Sequence, residues 1–289
     1  MKITRIDAVR CTIGEAPVWD EAQHALYMVD IAAQKLLRYD PERDTVRAWE
    51  LPFAPTALAL GTEGQALLAS GSAIHRLELD SGRTEQVGAV DGQPANATLN
   101  DGRVDRQGRF VIGSCCTDFA SPSAVGGIYG FAQGRAERLA DDILFSNGTC
   151  FSPDGTTLYF ADGALHAIYA YEYDTHTGKV GTRRRFADTT ALGGMPDGAT
   201  VDADGRVWVA INPGGKVAGY NPDGTLDQVV DLPANRPGSV AIGGAHLERL
   251  FVTTLDPVAF GEPTDEHSGY LYVVDDIGLR GLAEPRYRD

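Results

Sequence analysis

The chain has 289 residues, 43% of them hydrophobic, and a formal net charge of −15. This composition excludes disorder and allows a large core, while the negative charge argues against nonspecific binding to nucleic acid. No window approaches the roughly 18 apolar residues of a membrane span, the segment MKITRIDAVRCTIGE lacks the apolar centre of a secretory signal, and four cysteines with no CxxC pair make no disulfide framework. The expectation is a cytoplasmic protein without nucleic-acid or membrane partners, in which Arg183-Arg184-Arg185 forms a solvated strand face.

In chain order, one hairpin pattern recurs: PVWDEAQHALYMVD at 17–30, LALGTEGQALLAS at 58–70, GRVDRQGRFVIG at 102–113, CFSPDGTTLYFAD at 150–162, ATVDADGRVWVAI at 199–211 and VAIGGAHLERLFVTT at 240–254. Each copy is a short apolar strand, a polar or glycine-containing turn and a second β-rich strand. A third strand follows each copy (35–40, 73–80, 126–131, 167–174, 216–220 and 270–275), and a more polar fourth follows five of them (45–51, 83–90, 135–141, 182–188 and 225–231). The sixth set lacks a fourth strand, whereas KITRIDAVR at 2–10 has the right composition and no other place. Repeats of about 48 residues lie in the range of propeller blades. The pattern predicts an all-β, six-bladed β-propeller with four antiparallel strands per blade, occupying residues 1–289 as one domain, its ring closed by the N-terminal strand. A pair of β-sandwiches is the alternative.

Superimposing the hairpins places Glu15, Thr56, Asn100, Asn147, Asp197 and Ser239 at the start of the six first strands. First strands line the channel of a propeller, so these polar side chains form a ring near one mouth. The ring contains no Lys or Arg, and carboxylates buried there need compensation. Hard oxygen donors suit Ca²⁺, Mg²⁺ or Mn²⁺, and are acceptable to Zn²⁺ or Fe²⁺. The plainer reading is that Asn147-Gly148 and Asp197-Gly198 are turn pairs and that Glu15 pairs with Arg10.

The stretches GEAPVWD (14–20), LNDGRVDRQGRF (99–110), SNGTCFSPDGTTLYFAD (146–162) and MPDGATVDADGRVWVA (195–210) resemble the gluconolactonase/regucalcin (senescence marker protein) family of six-bladed propellers. The resemblance implies that Glu15, Asn147 and Asp197 bind one divalent metal ion, with Asp197 also the general base. It further implies that Asn100 contacts substrate near the metal and that Asp118 meets sugar hydroxyls. Many members carry an arginine where this chain has Thr98, and the loop at 114–127 holds the unusual pair Cys115-Cys116.

The implied reaction is hydrolysis of a sugar-acid lactone (glucono-, galactono-, arabinono- or xylonolactone) to the open hydroxy acid, with the cation polarising the carbonyl. The alternatives are a small-ester or phosphotriester hydrolase on the same scaffold, or a noncatalytic calcium-binding propeller. No GxSxG elbow, phosphate loop or GxGxxG helix opening is present, and the six histidines lack metal-ligand spacing.

Overall fold

The computed structural model describes residues 1–62, 64–118, 123 and 125–288. Strand β1 (Lys2–Arg10) precedes the first complete blade, which comprises β2 (Gly14–Asp20), β3 (Ala25–Asp30), β4 (Lys35–Asp40) and β5 (Thr45–Glu50). Blade two comprises β6 (Ala57–Leu60), β7 (Gln65–Ser70), β8 (Ala73–Glu78) and β9 (Thr84–Ala89). Blade three comprises β10 (Ala97–Val104), β11 (Phe110–Cys116), β12 (Gly126–Ala132) and β13 (Arg135–Ile143). Blade four comprises β14 (Ser146–Phe151), β15 (Thr157–Asp162), β16 (Ala167–Tyr173) and β17 (Val180–Asp188). Blade five comprises β18 (Met195–Val201), β19 (Val207–Asn212), β20 (Lys216–Tyr220) and β21 (Leu226–Asp231). Blade six takes β22 (Pro237–Gly243), β23 (Arg249–Thr254) and β24 (Tyr270–Asp275) from the C-terminal region and β1 as its outer strand, in the order β1-β24-β23-β22.

The molecule is therefore a six-bladed β-propeller whose ring is closed by the N-terminal strand. Lys2 pairs with Asp275 and Ile6 with Leu271 in antiparallel register. Among the described residues, helix is limited to three 3₁₀ segments, Gly163–Leu165, Thr190–Leu192 and Pro257–Phe260. None of them is long and apolar enough to cross a membrane.

The hydrophobic side chains pack between blades. Leu36 and Trp49 of blade one meet Leu58 and Leu77 of blade two, and equivalent buried clusters fill the other junctions, including the one between blades six and one. At that last junction Trp19 stacks on Phe251, ring centroids 5.4 Å apart. Tyr159, Trp208 and Phe251, alike in blade position, are all buried in these layers. The inner strands are apolar on both faces because neighbouring blades cover both. The outer strands are polar, and Arg183, Arg184 and Arg185 lie exposed on β17.

Buried aspartates brace the turns of two hairpins. Asp202, fully buried, accepts from the amides of Asp204 and Arg206, from Arg206 Nε at 2.8 Å and from Trp208 Nε1 at 3.1 Å. Asp105 repeats the arrangement with Gln107, Arg109 and the hydroxyl of Tyr173. Removing such a carboxylate strands its partners, so Asp202→Ala is expected to cost about 3–5 kcal/mol of stability. Chemical denaturation of the variant beside the wild type measures it.

Candidate metal centre

The six first strands pack side by side in a closed ring, β2 on β6, β6 on β10, and onward until β22 meets β2. In five of them, pairing with the second strand is irregular at the ring position: between Glu15 and Val18, Leu99 and Gly102, Asn147 and Cys150, Pro196 and Ala199, and Pro237 and Ser239. Such bulges re-aim side chains that strict alternation would send outward. They let adjacent Asn100 and Asp101 both reach toward β14. Gly148, directly after Asn147, has a left-handed backbone (φ 57°), and a Cβ there would lie 2.9 Å from Ala161 Cβ and 3.1 Å from the Asp197 carbonyl oxygen. Ala16, directly after Glu15, takes the same conformation (φ 47°).

Polar contacts run from blade to blade around this ring. The Thr56 hydroxyl donates to the Leu99 carbonyl at 3.0 Å. Asn100 Nδ2 donates to the Ser146 carbonyl at 2.8 Å and to Asn147 Oδ1 at 3.1 Å. Asp101 accepts from the Thr149 amide at 2.6 Å. Asp197 Oδ2 accepts from Asn212 Nδ2 at 2.8 Å, while the buried Asn212 Oδ1 has no partner. Glu15 accepts a bond from the adjacent Ala16 amide at 3.2 Å. Gly238 on β22 comes so close that a methyl group there would overlap Glu15 Oε1.

The electrostatics of the hub are dominated by uncompensated acid. Burial, reinforced by the charges of nearby Asp197 and Asp101, pushes Glu15 well above the usual carboxylate range. Burial pushes Asp197 up to about 7, Asp101 adding to the rise and the Asn212 hydrogen bond opposing it. Asp101 is raised as well, again by burial first, against the pull of the Thr149 amide. Neither Glu15 nor Asp197 has a Lys, Arg or His within ion-pair distance among the described residues, and Arg10 pairs instead with Asp256.

Two carboxylates and the Asn147 carboxamide, beside the partnerless Asn212 oxygen, fit a divalent cation in donor chemistry. The described residues hold no cluster of three or more His, Cys, Asp or Glu side chains that could hold a metal ion, so a cation at this site would need a carboxamide among its donors. Its carboxylates would deprotonate as the cation enters.

The remaining expected residues fall at the edge of this site. Thr98 pairs across the sheet with Cys115 on β11 and donates to the Leu99 carbonyl. Asp118 is exposed beyond the end of β11, and its amide donates to Cys116 Sγ at 3.4 Å. Cys115 and Cys116 are buried free thiols, whereas residues 119–122 and 124 of the loop lie outside the described residues. None of the six histidines is fully buried.

Three residues escaped the sequence reading: Asn212, which holds Asp197, Asp101 and Arg103. Asp101 was hidden because one residue per blade was aligned and a regular strand would turn the next one away. Arg103, two residues further along β10, is a buried cation in the hub, though its partners are carbonyls and Glu284 and not the ring acids.

Fold and site together define a β-propeller with an oxygen-donor hub. Residues 13–256 match the SMP-30/Gluconolactonase/LRE-like region, and the chain belongs to that family. It is 31% identical to regucalcin of Xenopus laevis over 294 residues, covering 98% of this chain and 97% of the relative. It superposes on the calcium-binding protein regucalcin of Agrobacterium tumefaciens with a TM-score of 0.89 at 29% identity, covering 99% and 97% of the two chains. A gluconolactonase of Xanthomonas campestris shares the fold with a TM-score of 0.75 at 24% identity, covering 96% and 89%.

The raised acid has a consequence for stability. The folded chain holds the Asp197 proton more tightly than the unfolded chain, so this group favours folding at low pH and that contribution is lost as pH rises from 3.8 through about 7. The metal-free protein is expected to melt about 5 °C or more lower near pH 8 than near pH 5. A saturating divalent cation is expected to remove most of that difference, measured by thermal melts with chelator and with added ion.

Proposed function

We propose that this protein is a metal-dependent hydrolase of sugar-acid lactones, opening an aldonolactone such as glucono-, galactono-, arabinono- or xylonolactone to the hydroxy acid. The observation that carries the reading is the pair of half-buried carboxylates, Glu15 and Asp197, close enough to raise each other's proton affinity and without a Lys or Arg partner among the described residues, beside the carboxamides of Asn100 and Asn147. Membership of the gluconolactonase-containing family supports it.

Glu15, Asn147 and Asp197 would hold the ion, which supplies Lewis-acid polarisation of a carbonyl when bound. Asp197 is the general base: its Oδ2 is oriented by Asn212, and it removes a proton from the attacking water. The Asn100 amide nitrogen, engaged by the Ser146 carbonyl and Asn147 Oδ1, steadies Asn147 and leaves the Asn100 side-chain oxygen to accept from a substrate hydroxyl. Collapse then expels the ring oxygen, which takes up a proton. Thr98 and Asp118, nearer the rim, contact the sugar, and Thr98 offers one hydroxyl where the arginine of many relatives holds a polar group of the substrate. The four free thiols accord with a reducing cytoplasm.

A second reading has specific support. An oxygen-only donor set suits Ca²⁺, and the Agrobacterium relative is described as calcium-binding, so calcium binding without turnover is the competing function. Turnover of an aldonolactone panel, set beside a phosphotriester and an aryl ester, separates the readings. Stripping with chelator is expected to abolish lactone opening and a divalent ion to restore it, while full turnover in the stripped protein would overturn the proposal. Asp197→Asn is expected to lower kcat/KM by at least about 100-fold. Gly238→Ala, which crowds Glu15, is expected to weaken metal binding without changing the β-sheet circular dichroism.

A further inference from the structure

The hub contains one cation that the proposed reaction leaves without a task. Arg103 is only 6% exposed. Its Nη1 donates to the Pro17 carbonyl at 2.9 Å, and its Nη2 donates to the Ala199 carbonyl at 2.9 Å and, more weakly, to that of Val240 at 3.5 Å. These carbonyls lie on β2, β18 and β22, so a guanidinium from blade three ties together the first strands of blades one, five and six. Two of the three stand two residues beyond a proposed metal donor: Pro17 follows Glu15, and Ala199 follows Asp197.

Glu284 Oε1 approaches Arg103 Nη1 at 3.6 Å. It is delivered by the C-terminal segment, which crosses the hairpin-turn face of the propeller. On one side Arg280 pairs with Asp204 at 3.0 Å and Arg206 donates to the Gly278 carbonyl at 2.7 Å. On the other, Arg286 pairs with Asp20 at 2.5 Å and donates to the Gly61 carbonyl at 2.9 Å, and the Tyr287 amide donates to the Leu60 carbonyl at 2.8 Å. The segment is thus fastened to both sides of the ring with Glu284 near its middle.

We infer that Arg103 is a positioning residue, fixing the separation of Glu15 and Asp197 by clamping the strands that carry them, and that Glu284 holds the clamp in place. This rests on the reading of the hub as a divalent-metal centre. A planar fork with several donors can span three strands at once, whereas a lysine ammonium keeps the charge and loses the span. Metal donors tolerate displacements of only about 0.5 Å, and loss of groups that orient them typically costs about 10–100-fold in affinity.

The test uses the full-length protein stripped of metal and titrated calorimetrically with Ca²⁺, Mg²⁺, Mn²⁺ and Zn²⁺, with thermal melts in parallel. Arg103→Lys is expected to raise the Kd of the best-bound ion by about tenfold or more. Glu284→Gln is expected to raise it less, and it carries the test if the lysine variant does not fold. Leu77→Ala, in the buried core of blade two, controls for lost stability and is expected to bind metal as the wild type does. Arg103→Lys binding within about twofold of wild type, or Leu77→Ala weakening binding as much, would overturn the positioning role. If the wild type takes up none of the four ions, the metal reading itself fails.

Discussion

The structure turns on acid gathered where water is scarce. Six first strands must meet at the axis for the blades to bury their apolar faces against one another, and their polar ends are brought together by the same packing. Two half-buried carboxylates come within each other's field there and a third adds to it, a configuration that desolvation penalises unless protons or a cation compensate it. Apolar residues at these positions would close the ring at less cost. The acid therefore points to a use for the charge, and the absence, among the described residues, of an arginine or lysine paired with Glu15 or Asp197 leaves room for an external ion.

The hub is also layered. Glu15, Asn100, Asp101, Asn147 and Asp197 occupy the level set by the bulges, whereas Arg103 lies two residues deeper, bonded to carbonyls and to Glu284. Had the guanidinium reached the acids, an internal ion pair would have replaced the proposed metal. Keeping it on backbone oxygens reserves the acids, and its field still opposes proton uptake at Asp101. The C-terminal segment belongs to this arrangement: it brings a carboxylate to the cation and spans the turn-bearing face of the ring.

The fold was legible because turn chemistry repeats. Pro-Asp-Gly and its equivalents recur at matching places, and the missing fourth strand of the last set identified the N-terminal strand as its substitute. Five ring positions lie beside bulges that no alternation rule would place, yet counting back from each hairpin still reached them, since the bulges recur in equivalent strands. Asp101 was lost for the complementary reason: a bulge turns two consecutive residues toward the neighbouring strand, and an alternating pattern admits one. Arg103 and Asn212 were illegible because their partners, a set of carbonyls and Asp197, come from distant strands or the far end of a hairpin. The C-terminal segment carries no repeat, so its course over the turns had no signature in sequence.

The division between hub and rim bears on how such a propeller acquires its substrate. The proposed metal donors stand on first strands locked between blades, where a displacement would disturb two buried junctions at once. Thr98 and Asp118 lie instead toward the ends of β10 and β11, where the chain passes into the loop that begins Thr117-Asp118. Loops tolerate substitution and inner strands do not. On these grounds the proposed reaction would be a property of the hub, inherited with the fold, and the choice of substrate a property of a few rim side chains. In the proposed reading Thr98, short and uncharged where many relatives place arginine, offers a substrate one hydroxyl in place of a guanidinium.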